Sequence, residues 1–126
     1  MMLHNNFQDF VLFLYIHMAL ADHYLHPSEE SVILDKMSRL FPTEADPKKK
    51  FDAAVKHYES LSHETAIETI RASFKHFDQV KFAQKYKVYT DMYDVINADG
   101  KVEEAEKIAL DALKEIINMN AEAKAA

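Results

Sequence analysis

The chain states one pattern twice. Ala21-Asp22-His23-Tyr24-Leu25-His26-Pro27-Ser28-Glu29 is echoed by Ala98-Asp99-Gly100-Lys101-Val102-Glu103-Glu104-Ala105-Glu106. A single offset of 77 positions places Asp22 on Asp99, Leu25 on Val102 and Glu29 on Glu106. The same offset places Val11 on Val88, Ile16 on Tyr93, Ala19 on Ile96 and Ile33 on Leu110. Each copy reads as an apolar helix, an acidic corner and a second apolar helix. The expected fold is therefore all-α, a compact bundle of about six helices with an internal two-fold-like repeat. The acidic corner is either a structural joint used twice or a pair of cation half-sites.

Helical spacing runs through the whole chain. Phe7, Phe10, Val11, Leu14, Met18 and Ala21 recur at helical intervals, which predicts a first helix from about Asn6 to Asp22. Leu12, Phe13, Tyr15 and Ile16 widen its apolar face, so this helix belongs at the centre. Pro27 suits the first position of a second helix, where its missing N–H needs no partner, and Pro42 stops that helix. Asp46-Pro47 and Ser62 are start signals for the third and fourth helices, and Asp78 for the fifth. Ile108, Leu110, Leu113, Ile116 and Ile117 mark a sixth. One Gly, three Pro and no strand-like alternation argue against a β fold. Residues 1–126 read as one domain, and the tail over 119–126 as a frayed helical extension or disordered.

Charge and composition remove several functions. A net charge of −6 opposes binding to nucleic acid or to an anionic membrane surface, and suits cations or basic partners. The basic run Lys48-Lys49-Lys50 beside Pro47 reads as a solvated face on the first turn of a helix. With no cysteine, disulfides, thiolate metal sites and cysteine nucleophiles are excluded. The most apolar window, Phe10 to Ala21, is too short to span a bilayer, and Asp9 stands where a signal peptide carries a basic residue. A cytoplasmic protein without membrane insertion is expected.

The corners support two readings. As joints, Asp22 and Asp99 would accept hydrogen bonds from backbone N–H groups of the turn. Leu25 and Val102 would plug into the core, and Glu29 and Glu106 would favour the positive helix end. As cation sites, the carboxylates are hard oxygen ligands suited to calcium or magnesium. Asp94, Asn97, Glu103 and Glu104 are further oxygen sources near the second corner. An EF-hand is nearly spelled there: with Glu106 as last ligand, Gly100 falls on the loop glycine and Asp99 and Asn97 on ligand positions. Val95 fails at the first ligand, and Met18, Leu20 and His23 fail in the first copy. Tight EF-hand calcium binding is not expected.

The doubled Ala-Asp-Gly-x-hydrophobic pattern followed by Glu, at the ends of paired helices, resembles the tellurite-resistance TerB-like family. The resemblance covers the first through sixth helices and is most specific at the corners. It implies a compact, all-helical bacterial domain with an acidic surface, associated with tellurite resistance and stress response, and proposed to bind divalent cations. Residue by residue it carries over only to Asp22, Glu29, Asp99 and Glu106. The chain departs from the pattern at His23, where the family favours Gly, and at Glu104, which matches Pro27.

His17, His23 and His26 lie near the first corner, and His57, His63 and His76 are scattered in sequence. Spacing alone supplies no convergent ligand geometry, so the first three are expected to be ordinary surface histidines. Tyr86, Tyr89 and Tyr93 follow helical spacing and are expected in the core. No phosphate loop, nucleophile elbow or metalloprotease motif occurs, and Ile67 stands where His63-Glu64 would need a second His. The expected protein is non-catalytic. It binds a divalent cation weakly at Asp22, Glu29, Asp99 and Glu106, aided by Asp94, Asn97 and Glu103. The alternative is a metal-independent interaction module that turns its acidic face toward a basic partner.

Overall fold

The structure, a computed structural model, describes residues 6–21, 25–76, 82–97 and the positions 107, 110, 111 and 114. Among these residues it is all-helical, with α1 (Phe7–Ala19), α2 (Pro27–Leu40), α3 (Pro47–Glu59), α4 (His63–His76) and α5 (Phe82–Ile96). Lys107, Leu110, Asp111 and Lys114 are also helical, with Leu110 buried and the other three exposed. They lie in the stretch expected to form the sixth helix, whose remaining residues fall outside the described ones.

Local chemistry sets the boundaries. Asn6 caps α1 by accepting from the Asp9 N–H at 2.8 Å. Asp46 caps α3 through the Lys49 N–H at 3.1 Å, with Pro47 at the first helical position. Ser62 caps α4 through the Thr65 N–H at 3.1 Å. α1 stops at Ala19, short of the expected Asp22. The Ala21 N–H bonds to the Met18 carbonyl at 3.3 Å, three residues back, which tightens the last turn and ends the helix.

α1 is the axis of the bundle. Every residue from Phe10 to Ala19 is buried, because α2, α3, α4 and α5 all pack against it. A helix apolar on all faces is stable only in such surroundings. Ile33 and Met37 of α2, Phe51 of α3, Ala66 and Ile70 of α4, and Val88, Met92 and Val95 of α5 complete the core. Each large aliphatic side chain so buried contributes about 1.5–3 kcal/mol against leaving it in water.

The basic run of α3 is a latch as well as a solvated face. Lys48 Nζ reaches Glu30 of α2 at 2.6 Å, and Lys50 Nζ reaches Asp9 of α1 at 3.3 Å. Lys50 Nζ also sits 4.4 Å from the Phe41 ring centroid. Lys49 is exposed.

Candidate functional site

Helix direction decides where the acidic corners go. The Tyr15 hydroxyl meets Asp91, and Phe7 and Val11 line one groove with Lys87 and Val88. α1 and α5 therefore lie side by side and run the same way. Their C-terminal ends, which lead into the two corners, emerge at the same end of the bundle. α2 runs the opposite way, since Lys36 pairs with Asp91 and Asp94 while Leu40 lines the groove beside Phe7. Its first turn, carrying Glu29, is thereby returned to the corner end.

Glu29 is buried to 1% exposure in that first turn. The helix N-terminus favours its charge, and its Oε1 accepts from the His26 N–H at 3.3 Å. His26 Nε2 lies 3.9 Å from the same oxygen. Burial of a carboxylate demands such compensation, and this backbone bond supplies part of it. Leu25, half-buried, packs against the core just before α2, as a plug at this corner should. At the other corner Asp94 and Asn97 are exposed. Asp94 Oδ2 accepts from Lys36 Nζ at 3.3 Å. Asp22, Asp99, Val102, Glu103, Glu104 and Glu106 lie outside the described residues. Among the described residues, no three His, Asp or Glu side chains converge to hold a metal.

His17 differs from the surface role expected of it. His17 is buried to 3% exposure, because α1 is covered on every side. Its Nδ1 is 2.8 Å from the Tyr58 hydroxyl of α3, and its ring stacks on His63 of α4 at 6.3 Å. Burial first, and the neighbouring His63 second, push the His17 pKa down to about 4. Burial also pushes the Tyr58 phenol up to about 12. The phenol is protonated and the imidazole neutral, and the ring tautomer sets which of the two donates in their hydrogen bond. His57 and His63 are exposed, and the His57 ring lies 6.5 Å from Phe13. The fold thus gathers His17, His57 and His63 around the packing of α1 with α3 and α4. His26 is half-buried at the corner, and His23 lies outside the described residues.

A second polar cluster was not anticipated. Asp91 accepts from Tyr15 Oη at 3.3 Å, Lys36 Nζ at 3.1 Å and Lys87 Nζ at 3.3 Å. Burial and the Asp91 carboxylate both push the Tyr15 pKa up, so this phenol stays protonated and donates. The local part was readable, since Lys87 and Asp91 are four apart on one helix. Tyr15 and Lys36 reach it only through the tertiary fold. Tyr93, expected in the core, is 49% exposed, because it projects from the side of α5 away from α1. Tyr89 is half-buried against the core, and the Tyr86 side chain lies outside what is described.

These features define a helical domain built around a first helix buried from Phe10 to Ala19, with the C-terminal ends of α1 and α5 at one end. The family model described as tellurite resistance protein TerB matches residues 8–126. The chain belongs to the TerB family, and the resemblance drawn from its corners holds over nearly its whole length. No curated protein and no solved structure matches it. Among the described residues, no helix is long and apolar enough to cross a membrane.

Proposed function

We propose that the chain is a non-catalytic, tellurite-resistance and stress-related domain that binds a divalent cation weakly through its paired acidic corners. The observation that supports this reading is the common direction of α1 and α5, whose C-terminal ends lie at the end of the bundle that holds the buried Glu29. On this reading the chain has six helices and an internal two-fold-like repeat, and works in the bacterial cytoplasm. On the same reading Asp22, Asp99 and Glu106 form one acidic surface over the buried Glu29, with Asp94, Asn97 and Glu103 at its margin. Like charges brought together repel, and a divalent ion relieves that repulsion. The donors are carboxylate and amide oxygens, so they fit calcium or magnesium rather than a softer metal. The protein contributes the oxygen donors and holds them at the helix ends; the ion contributes charge.

The second reading is a metal-independent interaction module. It is favoured by one contact: Lys36 already neutralises Asp94, so part of this acidity is satisfied by the protein's own ammonium. The remaining acidic face would then meet a basic protein. Calorimetry and backbone NMR with calcium, magnesium, manganese and zinc separate the two. The cation reading expects weak binding, with shifts concentrated at Asn97 to Glu106 and smaller at Asp22 to Glu29. Gly100 allows a tight turn at the second corner, where the first has the bulkier His23. Asp99→Asn with Glu106→Gln should abolish the shifts and leave helical content intact. A titration without localised shifts for any of the four ions rejects cation binding and leaves the interaction module.

A further inference from the structure

Away from the corners, α1, α2 and α5 enclose a groove of about 240 Å³, close to the liquid volume of about eight water molecules. Its floor is apolar: Phe7 and Val11 of α1, Leu40 of α2 and Val88 of α5. Its polar wall holds Lys36, Arg39 and Lys87 against a single carboxylate, Asp91. At its rim Asp94 pairs with Lys36 and Asp35 with Arg39, so three carboxylates meet the three cations.

The wall's cations are not equally compensated. Lys36, 12% exposed, binds both Asp91 and Asp94. Lys87 is 68% exposed and must share Asp91 with Lys36 and Tyr15. Arg39 is 73% exposed, and its ion pair is a 3.6 Å contact with the equally exposed Asp35, a kind that contributes little. Lys87 and Arg39 thus line the groove held only by exposed ion pairs, which a ligand carboxylate can replace. Apolar floors with a few convergent polar groups are the usual form of a small-molecule site.

We propose that this groove binds a small aliphatic monocarboxylate, with its chain on the apolar floor and its carboxylate between Arg39 and Lys87. The guanidinium fork matches a carboxylate in bidentate geometry. A single negative charge fits better than two, because Asp91 and Asp35 border the same wall. A six-carbon acid, with about eight heavy atoms, suits the volume. The site is independent of the acidic corners and of any cation there.

The test is a methyl NMR titration of the full chain near neutral pH with hexanoate, hexanol and acetate. Hexanoate should give saturable shifts at the Val11, Leu40 and Val88 methyls, with hexanol and acetate about tenfold weaker or worse. Arg39→Gln with Lys87→Gln should weaken hexanoate about tenfold and leave hexanol unchanged. Arg39→Lys with Lys87→Arg, which keeps both charges, should retain hexanoate binding. Absence of a saturable hexanoate shift overturns the proposal. So does hexanol binding as tightly as hexanoate, or full hexanoate affinity in the double glutamine variant while its circular dichroism is native.

Discussion

α1 and α5 are the helices that the 77-residue offset superimposes, and they use their common pattern differently. Val11 and Val88 are both buried, as are Met18 and Val95. Elsewhere the correspondence breaks. Phe10 is fully buried while Lys87 is exposed, Ile16 is buried while Tyr93 is exposed, and His17 is buried while Asp94 is exposed. The reason is position. Among the described residues α1 is surrounded by four helices, whereas α5 packs chiefly against α1 and α2. The shared stripe is the inward one, and only that stripe is set by the contact between the two helices. Their other faces answer to different surroundings, core in one case and solvent in the other.

The comparison is easiest to break at Phe10 and Lys87. Phe10→Ala removes a buried ring from the helix that every other packs against and should cost about 3–5 kcal/mol. Lys87→Ala, at the corresponding place on α5, should change stability by less than about 1 kcal/mol, as expected for an exposed partner in an ion pair. Urea denaturation of the two variants measures both. Similar losses would mean that the two helices are structurally equivalent after all.

His17 and Asp94 sharpen the contrast through pH. The folded His17 pKa, about 4, lies below the ordinary value of 6.5, so folding favours the neutral ring. Its contribution is intact above pH 6.5 and is lost as pH falls toward 4, because the unfolded chain binds the proton more readily. The total loss should be roughly 3 kcal/mol. Protonation also fixes a hydrogen on Nδ1, so that Tyr58 Oη can then only accept from it. His17→Gln, which keeps an acceptor without the titration, should flatten the urea midpoint across this range. An unchanged acid limb in that variant would show that His17 does not carry the acid sensitivity.

What could be read from sequence follows the range of the interactions. Asn6, Asp46 and Ser62 bond to N–H groups three residues ahead, so their role as helix starts was visible in a few neighbouring letters. The apolar run of α1 likewise announced a central helix. His17 looked like a corner histidine because its partner, Tyr58, is 41 positions away. The Asp91 cluster was missed for the same reason: Tyr15 is 76 positions from Asp91, and Lys36 is 55. Of the corner carboxylates, Glu29 sits in the first turn of its helix as its spacing predicted. Asp22, Asp99 and Glu106 lie outside the described residues, and their corner contacts rest on sequence alone.

A smaller effect tests whether α1 owes its end as well as its middle to its surroundings. Asn6→Ala removes the side-chain oxygen that accepts from Asp9 N–H and should cost about 1 kcal/mol by chemical denaturation. A loss near zero would mean that packing alone fixes where α1 begins. Asn6→Asp keeps the acceptor and places negative charge at the helix N-terminus, so it should retain full stability.

The smallest expected effect lies at Asp94, the exposed counterpart of His17. Its carboxylate is 63% exposed and accepts from Lys36 at 3.3 Å, but Lys36 keeps Asp91 at 3.1 Å when Asp94 is neutralised. Asp94→Asn removes a screened charge without stranding the buried ammonium. It should therefore cost only about 0.2–1 kcal/mol at low ionic strength. At about 1 M salt the difference from the parent chain should shrink, since the Debye length falls to about 3 Å. Asp91→Asn is the internal control: it takes the carboxylate from Tyr15, Lys36 and Lys87 together, and should cost more than Asp94→Asn and respond less to salt. Urea denaturation at two salt concentrations distinguishes them. If Asp94→Asn proved as costly and as salt-insensitive as Asp91→Asn, the outer face of α5 would be structural in the way that α1 is. The contrast between the two helices would then fail at a position where one carries a buried neutral ring and the other an exposed carboxylate.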